Sequence, residues 1–293
     1  MEGIVLEEIG EIFLLSDKNH VLDKAFELFR ICYKQNDWME AKRISAHMRV
    51  VAENQYKSQQ KWGDISHLQL PLKRPLIFYI GYSHLAESIV YQKQGLYNEA
   101  KSSIEHYATL EQYDVSDEEG QEEIRRFKTF AKANSYAVDL LSGNFEVLEK
   151  YHQFIQSDDE EILPGLITIL EAANQNNWNI DHVLKTHIPH ELETFASYED
   201  IGNRVYYIKL LNQLAIYSLN KKSYQDTINY ILDYLSIAVN MDVYREIITV
   251  TAMYEKVRKL ATTEQQLRYE NIIKGVLTNE KSIDGFVLNT SAL

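Results

Sequence analysis

The sequence predicts an all-α chain of stacked helix–turn–helix units. Five times an aromatic residue sits just past a polar turn and just before a fresh helix. The stretches are QNDWMEA (Gln35–Ala41), QGLYNEA (Gln94–Ala100), SGNFEVL (Ser142–Leu148), QNNWNID (Gln175–Asp181) and NKKSYQDT (Asn220–Thr227). Only 4 Pro and 11 Gly punctuate 293 residues, too few for the many turns of a strand-rich fold. The long segments between are rich in Leu, Ile, Glu, Lys, Ala and Gln, which favour helix. A hydrophobic content of 45% suffices for a continuous core, and the 20 Tyr suit a fold that buries a ring at each helix crossing.

The elements follow in order. A first helix is expected near residues 4–15, ended around Ser16–Asn19. Val21–Lys34 and Trp38–Tyr56 make a pair across Asn36–Asp37, with Leu22, Ala25, Phe26, Phe29 and Tyr33 on one face at three- and four-residue steps. Pro71 and Pro75 bracket a connection, and a second pair runs Leu76–Lys93 and Tyr97–Tyr113. Ser116 and Glu119 have the spacing of a capping box, so a helix starts there and reaches about Leu141. The acidic run Asp117–Glu119 sits in its first turn, where the helix dipole favours carboxylates, and lacks calcium-loop spacing. Phe145–Ile155 is the next helix. Pro164 is placed in the first turn of its successor, which ends near Ala173. Asp181–Thr186 is short and Pro189 interrupts the pattern. Ser197–Leu219 pairs with Tyr224–Val239, and helices near 243–260 and 263–278 close the array. Residues 1–280 read as one repeat domain and 281–293 as a tail without helical period.

A net charge of −13, with no more than two consecutive cations anywhere, argues against nucleic-acid binding by this chain. The single Cys32 forms no internal disulfide and reads as a small buried residue in a reducing compartment. Glu2, Glu7, Glu8 and Glu11 stand where a signal peptide needs basic residues, and no segment approaches the ~20 apolar residues of a membrane span. The expected location is cytoplasmic, with no membrane contact. His182, His187 and His190 match no zinc spacing, and no phosphate loop, HExxH or GxSxG occurs. No catalytic residue, metal or cofactor is assigned, and the chain is not read as an enzyme.

The segment HLAESIVYQKQGLYNEAKSSIEHY resembles a tetratricopeptide repeat. Ser88 takes the small position of the first helix, Tyr91 the aromatic, Gly95 the turn, Tyr97 the second aromatic and Ala100 the small contact residue. QLAIYSLNKKSYQDTINYILDYL matches again through Ala215, Tyr224 and Ile231, with Lys222 where Gly is usual; Trp38 and Ala41 repeat the turn-to-helix part. The marker spacings of 59, 48, 33 and 46 residues, from Trp38 through Tyr97, Phe145 and Trp178 to Tyr224, depart from the ~34-residue period, so the array is degenerate. Over nearly its whole length the chain resembles the degenerate helical-repeat peptide receptors of Gram-positive bacteria, the Rap, PlcR, NprR and arbitrium-receptor class. Irregular spacing, Tyr/Asn-rich helices, low Gly and acidity carry the likeness. Many members begin with a helix-turn-helix, of which this sequence offers no candidate.

That resemblance implies a right-handed superhelix of helical hairpins whose first helices line a concave groove. It puts Arg30, Tyr33 and Lys34 of the first pair on the groove, with Tyr82, Ile89 and Gln92 of the second. Asn174 follows from the fourth, then Lys209, Asn212, Ile216 and Asn220 from the fifth. Asn side chains offer donor and acceptor to an extended backbone, and Lys or Arg takes a carboxylate. The function implied is peptide sensing of the quorum-sensing type. A short signalling peptide in the groove controls transcription or a protein effector, with a homodimer as a further expectation. A constitutive interaction scaffold is the alternative.

Overall fold

A computed structural model describes residues 20–62, 72–188, 190–239, 241 and 244–284. Secondary structure among them is entirely helical. The helix expected at 4–15, Pro71, Pro189 and the tail beyond Asp284 lie outside the described residues. The chain divides into two compact units, Met1–Asn144 and Phe145–Leu293.

In the first unit, α1 (Val21–Gln35) and α2 (Trp38–Trp62) form a hairpin, followed by α3 (Leu76–Lys93), α4 (Tyr97–Ala108) and α5 (Glu118–Leu141). Each packs on its successor, and α3 also meets α1 and α5. The turns are built by residues that tolerate left-handed backbone. Asn36 ends α1 at φ 58°, and Gly95 follows α3 at φ 73°. Asp37 then caps α2 by accepting from the Glu40 amide at 3.0 Å. Ala41, Ala86 and Ala100 are wholly buried where helices touch. Gly81 lets α3 approach α5 closely, since a Cβ there would lie 2.7 Å from the Phe127 ring and 2.8 Å from Leu110. Gly81→Ala is expected to lower the stability of this unit by about 1–3 kcal/mol in a urea titration despite alanine's better helix propensity.

The core of this unit is also polar in places. Arg49 pairs with Glu87 at 2.6 Å, and Ser103 donates to the same carboxylate oxygen at 3.5 Å. The Tyr79 hydroxyl donates to buried Asp23. His84, 7% exposed, stacks on His106 at 4.7 Å between ring centroids and leaves its Nδ1 unpartnered among the described residues. Burial, then the charges of Arg49 and His106, push its pKa down to about 3. A depressed histidine contributes stability that is complete above the ordinary pKa near 6.5 and is lost as pH falls below it. The first unit should therefore lose denaturation midpoint steadily from pH 6.5 downward, and His84→Leu should flatten that slope.

In the second unit come α6 (Leu148–Ile155), α7 (Asp159–Asn176), α8 (Asp181–His187), α9 (His190–Ala196), α10 (Ile201–Asn220), α11 (Tyr224–Ala238), α12 (Tyr244–Val257) and α13 (Thr263–Asp284). The central contacts are α7 with α10 and α10 with α11, flanked by α6 on α7, α9 on α10, and α12 and α13 on α11. Leu166 and Leu170 of α7, Leu210, Leu214 and Ala215 of α10 and Ile228 and Ile231 of α11 make its buried seam.

Three helix starts differ from the sequence expectation, each through a nearer aspartate. Asp117, not Ser116, caps α5 by accepting from the Gly120 amide at 2.7 Å. Asp158 caps α7, so Pro164 falls inside that helix rather than in its first turn. Asp200, not Ser197, opens α10 by accepting from the Asn203 amide at 2.8 Å.

Candidate functional site

The densest cluster of aromatic and cationic side chains lies where α1 meets α3. The α1 periodicity turns Phe26 and Phe29 toward α3, which answers with Phe78 and Tyr82. Phe26 meets the Tyr82 ring edge-on at 4.7 Å and Phe78 at 5.5 Å; Phe78 and Tyr82 stack at 5.5 Å, one helical turn apart. Tyr33 stacks on Phe29 and meets Trp38 edge-on. Phe26 and Tyr82 stay half-buried while Phe78 and Phe29 are buried, so the ring shelf meets solvent only through parts of Phe26 and Tyr82.

Two arginines lie over this shelf. The Arg30 guanidinium is 5.8 Å from the Phe26 centroid, and that of Arg74 is 5.5 Å from Phe26 and 4.5 Å from Phe78. Aromatic faces hold a guanidinium in place without satisfying its N–H donors. Arg30 shares one carboxylate, Glu27 at 3.1 Å, in a pair more than half exposed on both sides and therefore weak. Among the described residues no carboxylate lies within ion-pair distance of Arg74. Burial pushes the Tyr82 phenol up, with Arg30 the largest opposing influence, so the hydroxyl is neutral at physiological pH and can both donate and accept. Beside Arg74 a cleft of about 490 Å³ is lined by Lys73, Arg74 and Pro75 and by Glu118, Glu119, Glu122, Glu123 and Arg125 of α5.

The structure thus brings Arg30, Tyr33 and Tyr82 together. Gln92, also on α3, is half-buried nearer the Gly95 turn. Arg74, Phe26 and Phe78 complete the cluster and are not site candidates by sequence. Phe26 was visible only as a core-face residue, and Arg74 reads as a linker cation until its rings are in place.

The other expected contacts lie in the second unit. Asn174 of α7 directs its amide N–H groups to the Gln213 carbonyl at 3.0 Å and side-chain oxygen at 2.8 Å, leaving Oδ1 buried and unpartnered among the described residues. The Asn212 Oδ1 is likewise buried without a partner. Asn174 therefore cross-links α7 and α10. Lys209 is exposed over the Tyr206 ring at 5.5 Å, Ile216 is half-buried, and Asn220 is exposed at the end of α10. Trp178 packs edge-on against Phe145 at 5.0 Å.

Burial, then Asp37 and Glu40, push the Cys32 thiol up to about 11, away from a reactive thiolate. Among the described residues no group of three or more His, Cys, Asp or Glu could hold a metal ion, and no helix is long and apolar enough to cross a membrane. No protein-family model, curated protein or solved structure matches the chain.

Proposed function

We propose that this protein is a cytoplasmic peptide-sensing regulator. In this reading the hairpins of each unit are tetratricopeptide-like and wind as a right-handed superhelix, with first helices on the concave side. The carrying observation is the half-buried rings of Phe26 and Tyr82, packed with buried Phe78, beneath Arg30 and Arg74; among the described residues one guanidinium is weakly paired and the other has no carboxylate within ion-pair distance. A short peptide lays an apolar or aromatic side chain on the rings and gives its carboxylate to the guanidinium forks. Neighbouring backbone amides find the Tyr82 hydroxyl and Gln92. Binding tightens the packing of α1 on α3, and a protein effector or a second copy of the chain reads the change.

The test is affinity selection by the full chain from a degenerate hexapeptide library, once with free C-terminal carboxylates and once amidated. Recovered peptides that bind in the micromolar range or tighter and raise the melting temperature support the reading. No peptide recovered from either library overturns it.

A further inference from the structure

Two buried imidazoles face each other in the second unit, outside the proposed peptide site. His152 of α6 and His187 at the last turn of α8 are 7% and 4% exposed, and their Nε2 atoms are 3.0 Å apart. At that distance exactly one proton fits between the two nitrogens. One ring offers Nε2–H and the other a bare Nε2. The same two helices are joined at the surface by His182 Nε2 and Glu149 Oε1 at 2.8 Å.

The rest of the α8 attachment is short. Val183 is fully buried, the Ile180 amide donates to the Tyr217 hydroxyl at 3.0 Å, and that hydroxyl donates to Asp181 at 2.7 Å. A seven-residue helix cannot hold itself in water, so its order depends on these few ties.

We propose that His152 and His187 are an acid-sensitive latch: proton uptake by the pair releases the α8 segment from α6 while the α7–α10–α11 seam stays folded. With both rings charged, two N–H donors point at each other across 3.0 Å and two buried cations repel. Opening α8 hydrates both rings and removes that conflict.

The surroundings set the sign. Burial, then His187, holds the His152 pKa below the usual histidine value; Glu149 raises it and His182 lowers it further. Burial also lowers that of His187. Both folded pKa values lie below the unfolded one. The closed state is thus favoured above about pH 6.5 and loses ground as pH falls. His182 and Glu149 form an exposed pair that solvent screens.

The test is hydrogen exchange of the full chain at pH 7.5 and pH 5.0, corrected for intrinsic rates, comparing residues 180–188 with 207–218 of α10. The latch predicts that the opening constant of α8 rises at least ~10-fold relative to α10, since each proton taken up adds up to ~10-fold per pH unit. His152→Gln and His187→Gln, which keep a hydrogen bond without titrating, should each reduce that rise, while His182→Gln should keep it. An unchanged ratio overturns the proposal. So does a rise that survives both buried-site variants, or loss of protection in α8 and α10 together.

Discussion

Arg49→Ala should destabilise the first unit by about 3 kcal/mol, toward the lower end of the range for breaking a buried ion pair. Removing the guanidinium strands Glu87, whose side chain is 11% exposed and, among the described residues, keeps a 3.5 Å contact with Ser103. Glu87→Ala should cost less, because Arg49 is 28% exposed and can turn its fork toward water. Replacing both, as Arg49→Met with Glu87→Leu, removes the buried charges together and should recover most of the loss. The pair therefore matters chiefly through the penalty of leaving one partner alone. Urea titrations followed by exchange protection in α3 separate the first unit from the second, which whole-chain unfolding would blend.

A comparably large effect is expected on binding. Arg74→Ala should weaken a library-selected free-acid hexapeptide by about 10- to 100-fold, the equivalent of one charged hydrogen bond of about 1.5–3 kcal/mol. Arg30→Ala should cost somewhat less, because Glu27 already holds that guanidinium part of the time. Arg74→Lys should restore only part of the affinity, since a point charge lacks the planar fork that meets a carboxylate and stacks on rings. The weak exposed pairing of Arg30 implies little change in melting temperature on its removal, so the loss would not reflect unfolding. Fluorescence anisotropy with the labelled peptide reads all three variants, and equal affinities would remove the arginines from the site.

Much of the helical order is legible because its punctuation is local. Pro75 and the left-handed Gly95 bound Leu76–Lys93 as expected, and Asn36 and Asn177 end α1 and α7 through backbone that Asn tolerates. The misplaced starts arise where two capping residues compete within a few positions. Ser116 and Asp117 both suit an N-cap, and only the folded geometry shows Asp117 reaching Gly120. Pro164 misleads because a proline also fits the first turn, whereas here Asp158 nucleates the helix earlier.

The site is legible by halves for a similar reason. Arg30, Tyr33 and Tyr82 lie on helix faces that periodicity orients. Arg74 precedes a helix, so its place over Phe26 and Phe78 depends on tertiary contacts that no spacing encodes. Asn174 is on the expected helix, yet its amide is drawn to Gln213 across the α7–α10 seam because an amide between two packed helices bonds what is nearest. His152 and His187 are 35 residues apart, and only the fold places their rings in contact.

Photo-crosslinking tests the central claim most directly. A selected hexapeptide carrying photo-leucine at its last position is irradiated with the full chain, and the adducts are mapped by peptide mass spectrometry. Adducts concentrated in residues 22–34 and 74–86, and lost on Arg74→Ala, are the predicted result. Adducts confined to the second unit, or scattered without regard to Arg74, would contradict it.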